Sequence, residues 1–308
     1  MNEIESNINS MCMKLKPSKW KSFSIQSGSS ANIPFYIGDT CIPSISEEEQ
    51  KFLGKLLFFS GKSEETFNLV RDALKEALAN TDASLIRPEY KLWILKNYRV
   101  PSKRFLLTVH TLTQTHLKQL DTFVDKHTRK WSGLPKSATN AIIYLQEGLY
   151  IPSNSAVYME AHNTSHARTR LQGDTVINDV LDHALERESL YTRTIRPTTE
   201  AENVFKASLD KVGGEIPTFT GVGAKHLRRK FNMNIKTSVK NATKVAIQDT
   251  LKIHVESLQV LGSLLALACQ EKEDLLWKST MFQLKAGTLK FMLNASIDTL
   301  PTPANLKR

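Results

Sequence analysis

The feature that most constrains this chain is a change of residue period near Gly61. Beyond it, apolar residues recur at the three-and-four spacing of amphipathic helices. Phe67, Val70, Leu74, Ala77 and Leu78 share one face of a helix that starts near Ser63 and ends at Asn80-Thr81-Asp82. Glu64 and Glu65 place negative charge in its first turn, where the helix dipole favours it. Helices follow over 88–98, from Pro101 through His110, and over 114–131, the last with Leu117, Leu120, Val124 and Trp131 on its apolar side. Ser132-Gly133-Leu134-Pro135 stops that helix. The spacing then predicts helices over 154–171, 175–191, 198–211, 224–240 and 241–276, with Leu251, Val255, Leu258, Leu265 and Ala268 as the stripe of the last. Only 13 Gly and 11 Pro interrupt the chain, so long helices are permitted.

Before Gly61 the pattern is β-like. Trp20 to Ile25 alternates apolar and polar residues. Ile33 to Ile37 and Cys41-Ile42 are short β-prone pieces around Gly38-Asp39, and Phe52 to Phe58 reads as one further strand with an internal glycine. The expected fold is mainly α, with a small antiparallel β patch near the N-terminus.

The net charge is +10, which points to a polyanionic partner, nucleic acid or an anionic membrane surface. The longest apolar stretch, Leu258 to Cys269, is broken by Gln259, Gly262 and Ser263 and falls short of the roughly 20 apolar residues a membrane span needs. The N-terminal residues hold no apolar signal core, and the three cysteines, Cys12, Cys41 and Cys269, form no C-x-x-C. These features lead us to expect no membrane and no disulfide framework, and an intracellular protein of nucleus or cytoplasm that is not secreted.

Three separated stretches carry a resemblance. Met13-Lys14-Leu15-Lys16-Pro17-Ser18-Lys19-Trp20 is followed by Phe35-Tyr36-Ile37, Ile42-Pro43 and Phe52-Leu53-Gly54. Arg129-Lys130-Trp131-Ser132-Gly133-Leu134-Pro135 is followed by Thr139-Asn140-Ala141 and Gly148-Leu149-Tyr150-Ile151-Pro152. The third stretch is Leu293 to Thr302. In order and spacing they resemble the reverse transcriptases of non-LTR retrotransposons of the restriction-like-endonuclease type, just after the catalytic Y/F-x-D-D. There the corresponding patterns are L-x-x-N-x-x-K-C, F-x-I, I-P and Y/F-L-G, then R-x-W-x-x-L-P, T-x-N-A and G-L-G-I-P. Lys16 stands where Asn is usual and Trp20 where Cys is usual.

The resemblance implies a palm remnant over 1–60, a helical thumb over 61–152 and a helical linker over 153–308 that ends before a zinc knuckle. It implies a catalytically incomplete RNA-directed DNA polymerase fragment. Nucleotidyl transfer needs two metal ions clamped by converging carboxylates, and this chain holds no Asp-Asp pair. Asp121 and Asp125, and likewise Asp179 and Asp182, read as solvated helix-face residues, with Lys118 a partner for the first pair. No catalytic residue, metal, cofactor or small-molecule substrate is expected, and the chain is not expected to be an enzyme.

The expected partners are RNA and RNA–DNA duplex. Lys14, Lys16, Lys19 and Lys21 would surround a template-primer. Phe52, Leu53 and Gly54 match the primer-gripping hairpin of the family or pack palm on thumb. Arg129, Lys130 and Lys136 suit a phosphate backbone or form a solvated basic face, with Trp131 in the core. Arg228, Arg229 and Lys230, with Lys236, Lys240 and Lys244 beyond, suit structured RNA or a nuclear import signal. His162 and His166 share a helix face, but Asn163 occupies the position of the zinc-binding motif's glutamate. The alternative is a helical module that binds a protein partner and has no nucleic-acid role.

Overall fold

The computed structural model describes residues 20–22, 24–26, 29–31, 33–37, 40–44, 50–52, 55–57, 63–110, 112–136, 138–187, 199–213, 216–217, 220–221, 223–258 and 283–296. The chain divides into two compact units, Met1–Asn68 and Leu69–Arg308. It is mainly helical, with a minor antiparallel β component.

Among the described residues of the first unit, short strands pair as three two-stranded antiparallel sheets: β1 (Ser24–Gln26) with β2 (Ser29–Ala31), β3 (Phe35–Ile37) with β4 (Thr40–Ile42), and β5 (Gln50–Phe52) with β6 (Lys55–Leu57). The pairing of β3 with β4 places Ile37 opposite Thr40 around Gly38-Asp39. The single strand expected over Phe52 to Phe58 is instead part of a hairpin, with Phe52 opposite Lys55. Leu53-Gly54 suits a reversal better than a strand interior, because glycine weakens a ladder and serves tight turns.

Helix α1 (Ser63–Ala83) leads into the second unit. Its last turn carries no basic residue, so its C-terminal end is met from outside. Lys91 Nζ donates to the Asp82 carbonyl at 2.6 Å, and Arg99 Nε donates to Thr81 Oγ1 at 3.0 Å. Those cations stand on α2 (Pro88–Ile94) and on the π-helical turn Leu95–Arg99 that continues it. The π turn has a cause in sequence. Pro101 lacks an N–H and its ring clashes with the carbonyl four residues back, so the α ladder cannot pass unchanged. The backbone shifts to the next spacing, and Val100 N–H bonds to the Leu95 carbonyl. After helical residues Val100–Ser102 comes α3 (Arg104–Val109).

Helix α4 (Gln114–Ser132) is capped by Thr113, whose hydroxyl accepts from His116 N–H at 3.2 Å. Gly133 ends it at φ 69°, a left-handed position that glycine takes without steric cost. Leu117, Leu120, Val124 and Trp131 are all buried on its inner face. A short helix, α5 (Ala141–Tyr144), is followed by α6 (Asn154–Arg170), α7 (Thr175–Arg187) and α8 (Thr199–Asp210). Then come α9 (Ala224–Glu256) and α10 (Ala286–Ser296).

The helix expected over 224–240 and the first part of that expected over 241–276 are one helix, α9, which ends at Glu256, while Leu265 and Ala268 of the predicted stripe lie outside the described residues. No Gly or Pro interrupts Lys240-Asn241-Ala242. A row of inward residues at every fourth position runs straight through: Ile235, Val239, Thr243, Ile247, Leu251 and Val255. Such a row drifts about 40° around the helix per step, so no fixed face is apolar and the helix looks weakly amphipathic from sequence. Ile235 and Val239 pack with Ala167, Leu171 and Ala201, while Leu251 and Val255 pack with Ala141 and Leu145. Helix α6 lies against α3, α4 and α9, which joins the helices before and after residue 152 within the second unit.

Candidate nucleic-acid interface

The stretch from Arg129 to Pro152, which runs from the last turn of α4 through α5 towards α6, is held largely by its own polar groups. Arg129 donates to the carbonyls of Pro135 and Ala138 and to Asn140 Oδ1, each at 2.5 Å. Asn140 Nδ2 in turn donates to Asp125 Oδ2 at 2.6 Å, and the Tyr144 hydroxyl donates to Asp125 Oδ1. Lys130 Nζ and Trp131 Nε1 converge on the Asp82 carboxylate at 2.7 and 2.8 Å. Those two bonds, that from Lys130 foremost, hold Asp82 down at about 2.

Asp121 and Asp125 are not the solvated pair that their spacing suggests. Burial pushes Asp125 up to about 6, against the opposing hydrogen bond from Tyr144. Burial also raises Asp121, although Ser155 and Asn154 donate to it. Its Oδ1 accepts from Asn154 N–H at 2.6 Å and its Oδ2 from Ser155 N–H at 3.3 Å. Ser153 Oγ accepts the next N–H, that of Ala156, at 3.0 Å. Asp121 of α4 and Ser153 together therefore satisfy the donors that the first turn of α6 leaves open. Lys118 is exposed.

The end of this loop carries an unusual backbone. Tyr150 has φ 52°, the one positive value at a non-glycine among the described residues. It stands where the resembling pattern has its second glycine. The neighbouring peptide groups are pinned: Leu149 N–H bonds to the Ile142 carbonyl and Ile151 N–H to the Ile143 carbonyl, both at 2.9 Å. Gly148 is equally constrained, since a Cβ there would lie 1.9 Å from the Ile142 carbonyl oxygen. Lys96 Nζ sits 5.0 Å from the centre of the Tyr150 ring and 3.4 Å from the Leu149 carbonyl. Burial lowers the Lys96 ammonium from its ordinary value.

Beside Tyr150 opens a cavity of about 300 Å³ between the π turn, α3, α6 and α9. Its walls include Lys96, Arg104, Lys240 and Lys244, with Glu160 as the acidic residue. Glu160 Oε1 takes Arg104 at 2.5 Å and Lys240 at 3.3 Å, and Oε2 lies 4.0 Å from Lys244. One carboxylate thus draws three cations. Lys240 and Lys244 belong to a second row on α9, one residue on from the inward row: Lys236, Lys240, Lys244, Gln248 and Lys252. Lys252 pairs with Glu147 at 3.1 Å, and Gln248 accepts from Gln146 N–H at 2.8 Å.

The residues expected from sequence fall into distinct places. Arg228, Arg229 and Lys230 are exposed on α9, as are Lys225 and Lys236. Lys136 is exposed. Arg129 is half-buried and bonded within the loop, and Lys130 is exposed but paired with Asp82. Lys21 is half-buried. Phe52 closes β5, whereas Lys14, Lys16, Lys19, Leu53 and Gly54 lie outside the described residues. His162 meets the Leu107 carbonyl at 3.1 Å and stacks on Tyr158, and burial lowers His166. Among the described residues no group of three or more His, Cys, Asp or Glu could hold a metal, and no helix is long and apolar enough to cross a membrane. Lys96, Arg104, Tyr150 and Glu160 were not singled out by the sequence, because four elements distant in the chain bring them together.

No protein-family model and no curated protein matches this chain.

Proposed function

We propose that this chain binds RNA or RNA–DNA duplex through phosphate contacts, as the thumb and linker portion of a retrotransposon reverse transcriptase would, and does not itself polymerise. The observation that carries the reading is the charge of α9. Its 33 residues hold eight Lys or Arg against two acidic residues. Lys225, Arg228, Arg229, Lys230 and Lys236 are exposed along its first half, a span of about 17 Å at about 1.5 Å per residue. Cations in that arrangement neutralise successive phosphates without reading bases. Asp121 and Asp125, which would be the acidic residues to examine for metal chemistry, are bonded to a helix N-terminus and a tyrosine.

Fluorescence anisotropy with a labelled RNA–DNA duplex tests this. Affinity falls steeply between about 50 and 200 mM salt, and each alanine at Arg228, Arg229 or Lys230 lowers the log–log salt slope by about one. A flat salt response, or slopes unchanged in all three variants, refutes the proposal. A protein-binding role is the second reading, favoured by Val176 and Val180, 68% and 64% exposed one turn apart on α7. A flat salt response together with loss of a bound protein in Val176→Glu would support it.

A further inference from the structure

We infer that the cavity beside Tyr150 is a binding site for a nucleotide phosphate, with Arg104, Lys240 and Lys244 on the phosphoryl oxygens and the Tyr150 ring on the base. The inference rests on the reading of α9 as a nucleic-acid-binding helix and names what one part of that helix holds.

Four observations converge. First, the cavity is unbalanced in charge, with Lys96, Arg104, Lys240 and Lys244 against Glu160. Glu160 already gathers Arg104, Lys240 and Lys244 within 4.0 Å of one carboxylate. An internal acid that draws three cations to one point preorganises them for a second anion, and leaves charge over for it. Second, these side chains are reachable, Arg104 being 39%, Lys240 37% and Lys244 48% exposed. Third, Tyr144, Ile151, Val157 and Leu251 give the cavity apolar and aromatic wall, beside the polar Asn97, Ser153 and Gln248. At about 300 Å³ the volume sits at the lower end of the range of small-ligand sites, roughly 300–1,000 Å³. Fourth, Tyr150 holds a left-handed backbone conformation that a side chain with a Cβ adopts only against steric resistance. An aromatic ring kept at such a position, 39% exposed and lining the cavity, is a ring that the fold retains against its own backbone preference. Every base has a face that stacks on such a ring.

The phosphate has two sources, a free nucleotide or the phosphorylated end of a strand. Calorimetric titration of the full chain separates them. The ligands are adenosine 5′-monophosphate, adenosine, inorganic phosphate, and one short single-stranded RNA with either a 5′-phosphate or a 5′-hydroxyl. The nucleotide binds at least about tenfold more tightly than adenosine, because the charge-assisted contacts are lost without the phosphate. Lys240→Gln combined with Lys244→Gln removes that advantage. Tyr150→Gly, which suits the backbone, weakens the nucleotide by about tenfold and leaves inorganic phosphate unchanged.

Preference for the 5′-phosphorylated RNA identifies a strand end, and nucleotide binding without that preference identifies a free nucleotide. Equal binding of nucleotide and adenosine, or full nucleotide affinity in Tyr150→Gly, overturns the inference. The same preparation is titrated with an RNA–DNA duplex. Salt-dependent duplex binding without nucleotide binding sinks this site and spares the interface on α9. Nucleotide binding without duplex binding sinks the interface and spares the site.

Discussion

Asp121→Ala is the most direct test of how this helical unit is held together. Asp121 belongs to α4, yet its carboxylate closes the N-terminus of α6 by accepting from the backbone N–H groups of Asn154 and Ser155 and from both of their side chains. Asn154 is 1% exposed, so water does not replace the lost acceptor at its N–H. A buried donor left without a partner costs about 1–3 kcal/mol, and a hydrogen bond to a charged group is worth about 1.5–3 kcal/mol. Against this stands the burial of the carboxylate itself, which raises its pKa and which alanine relieves. The balance is a loss of about 2–4 kcal/mol, or roughly 5–15 °C in Tm for a unit of this size. Asp121→Asn keeps one acceptor oxygen and turns an NH₂ toward the other donors, so it loses about half as much. Urea and thermal unfolding followed by circular dichroism give both values. A loss below about 1 kcal/mol in Asp121→Ala, or an Asn variant worse than the Ala variant, would refute the capping argument.

Asp125 makes stability fall as pH rises. Its folded pKa is raised from 3.8 to about 6, so between those values the folded state holds more protons than the unfolded one. Its contribution is greatest below about pH 4 and is lost by about pH 6. At about 1.4 kcal/mol per pH unit, the shift sets an upper bound of about 3 kcal/mol, which solvent screening of the partly hydrated carboxylate reduces to about 1–2 kcal/mol. Subtracting the pH–stability profile of Asp125→Asn from that of the parent isolates this slope from the opposite one of Asp82, whose stabilisation is lost as pH falls from 3.8 towards about 2. A flat difference profile contradicts the assignment. Gly148→Ala drives a methyl against the Ile142 carbonyl and shifts the loop that carries Tyr150. We expect a loss of at least about 2 kcal/mol by urea unfolding, and an alanine tolerated without loss would exclude the close approach.

Much of the helical framework was legible in the sequence, since the period of the apolar residues reports the buried face. The helix expected over 114–131 is α4, Gln114–Ser132, and Trp131 lies in the core as its place on the stripe requires. The rest was hidden for reasons specific to the residues. Asp121 and Asp125 sit four apart on a helix and look solvated, and only the packing of α6 and the 133–153 loop encloses them. Helix α9 was divided at residue 240 because its inward row drifts and leaves no constant apolar face. The residues around Phe52 read as a single strand because period-two alternation does not distinguish one strand from two short ones. The cavity beside Tyr150 has no local signal, since its cations come from the π turn, α3 and α9. Its one hint was a tyrosine where the resembling pattern has glycine.

The π turn at Leu95–Arg99 gives this region a sensitivity to chain length rather than to residue identity. Residues five apart in an α-helix point about 140° away from each other, but here Trp93 and Tyr98 come round to meet, with ring centres 5.3 Å apart and ring planes tilted by 58°. A π turn holds one residue more than an α turn. Deleting the exposed Asn97 would restore ordinary spacing and rotate the helix before it by about 100° relative to the helix after it. Trp93 would part from Tyr98, and Lys96 would leave the Tyr150 ring. An in-frame loss of one codon at this point would therefore re-aim a surface that no single substitution could turn.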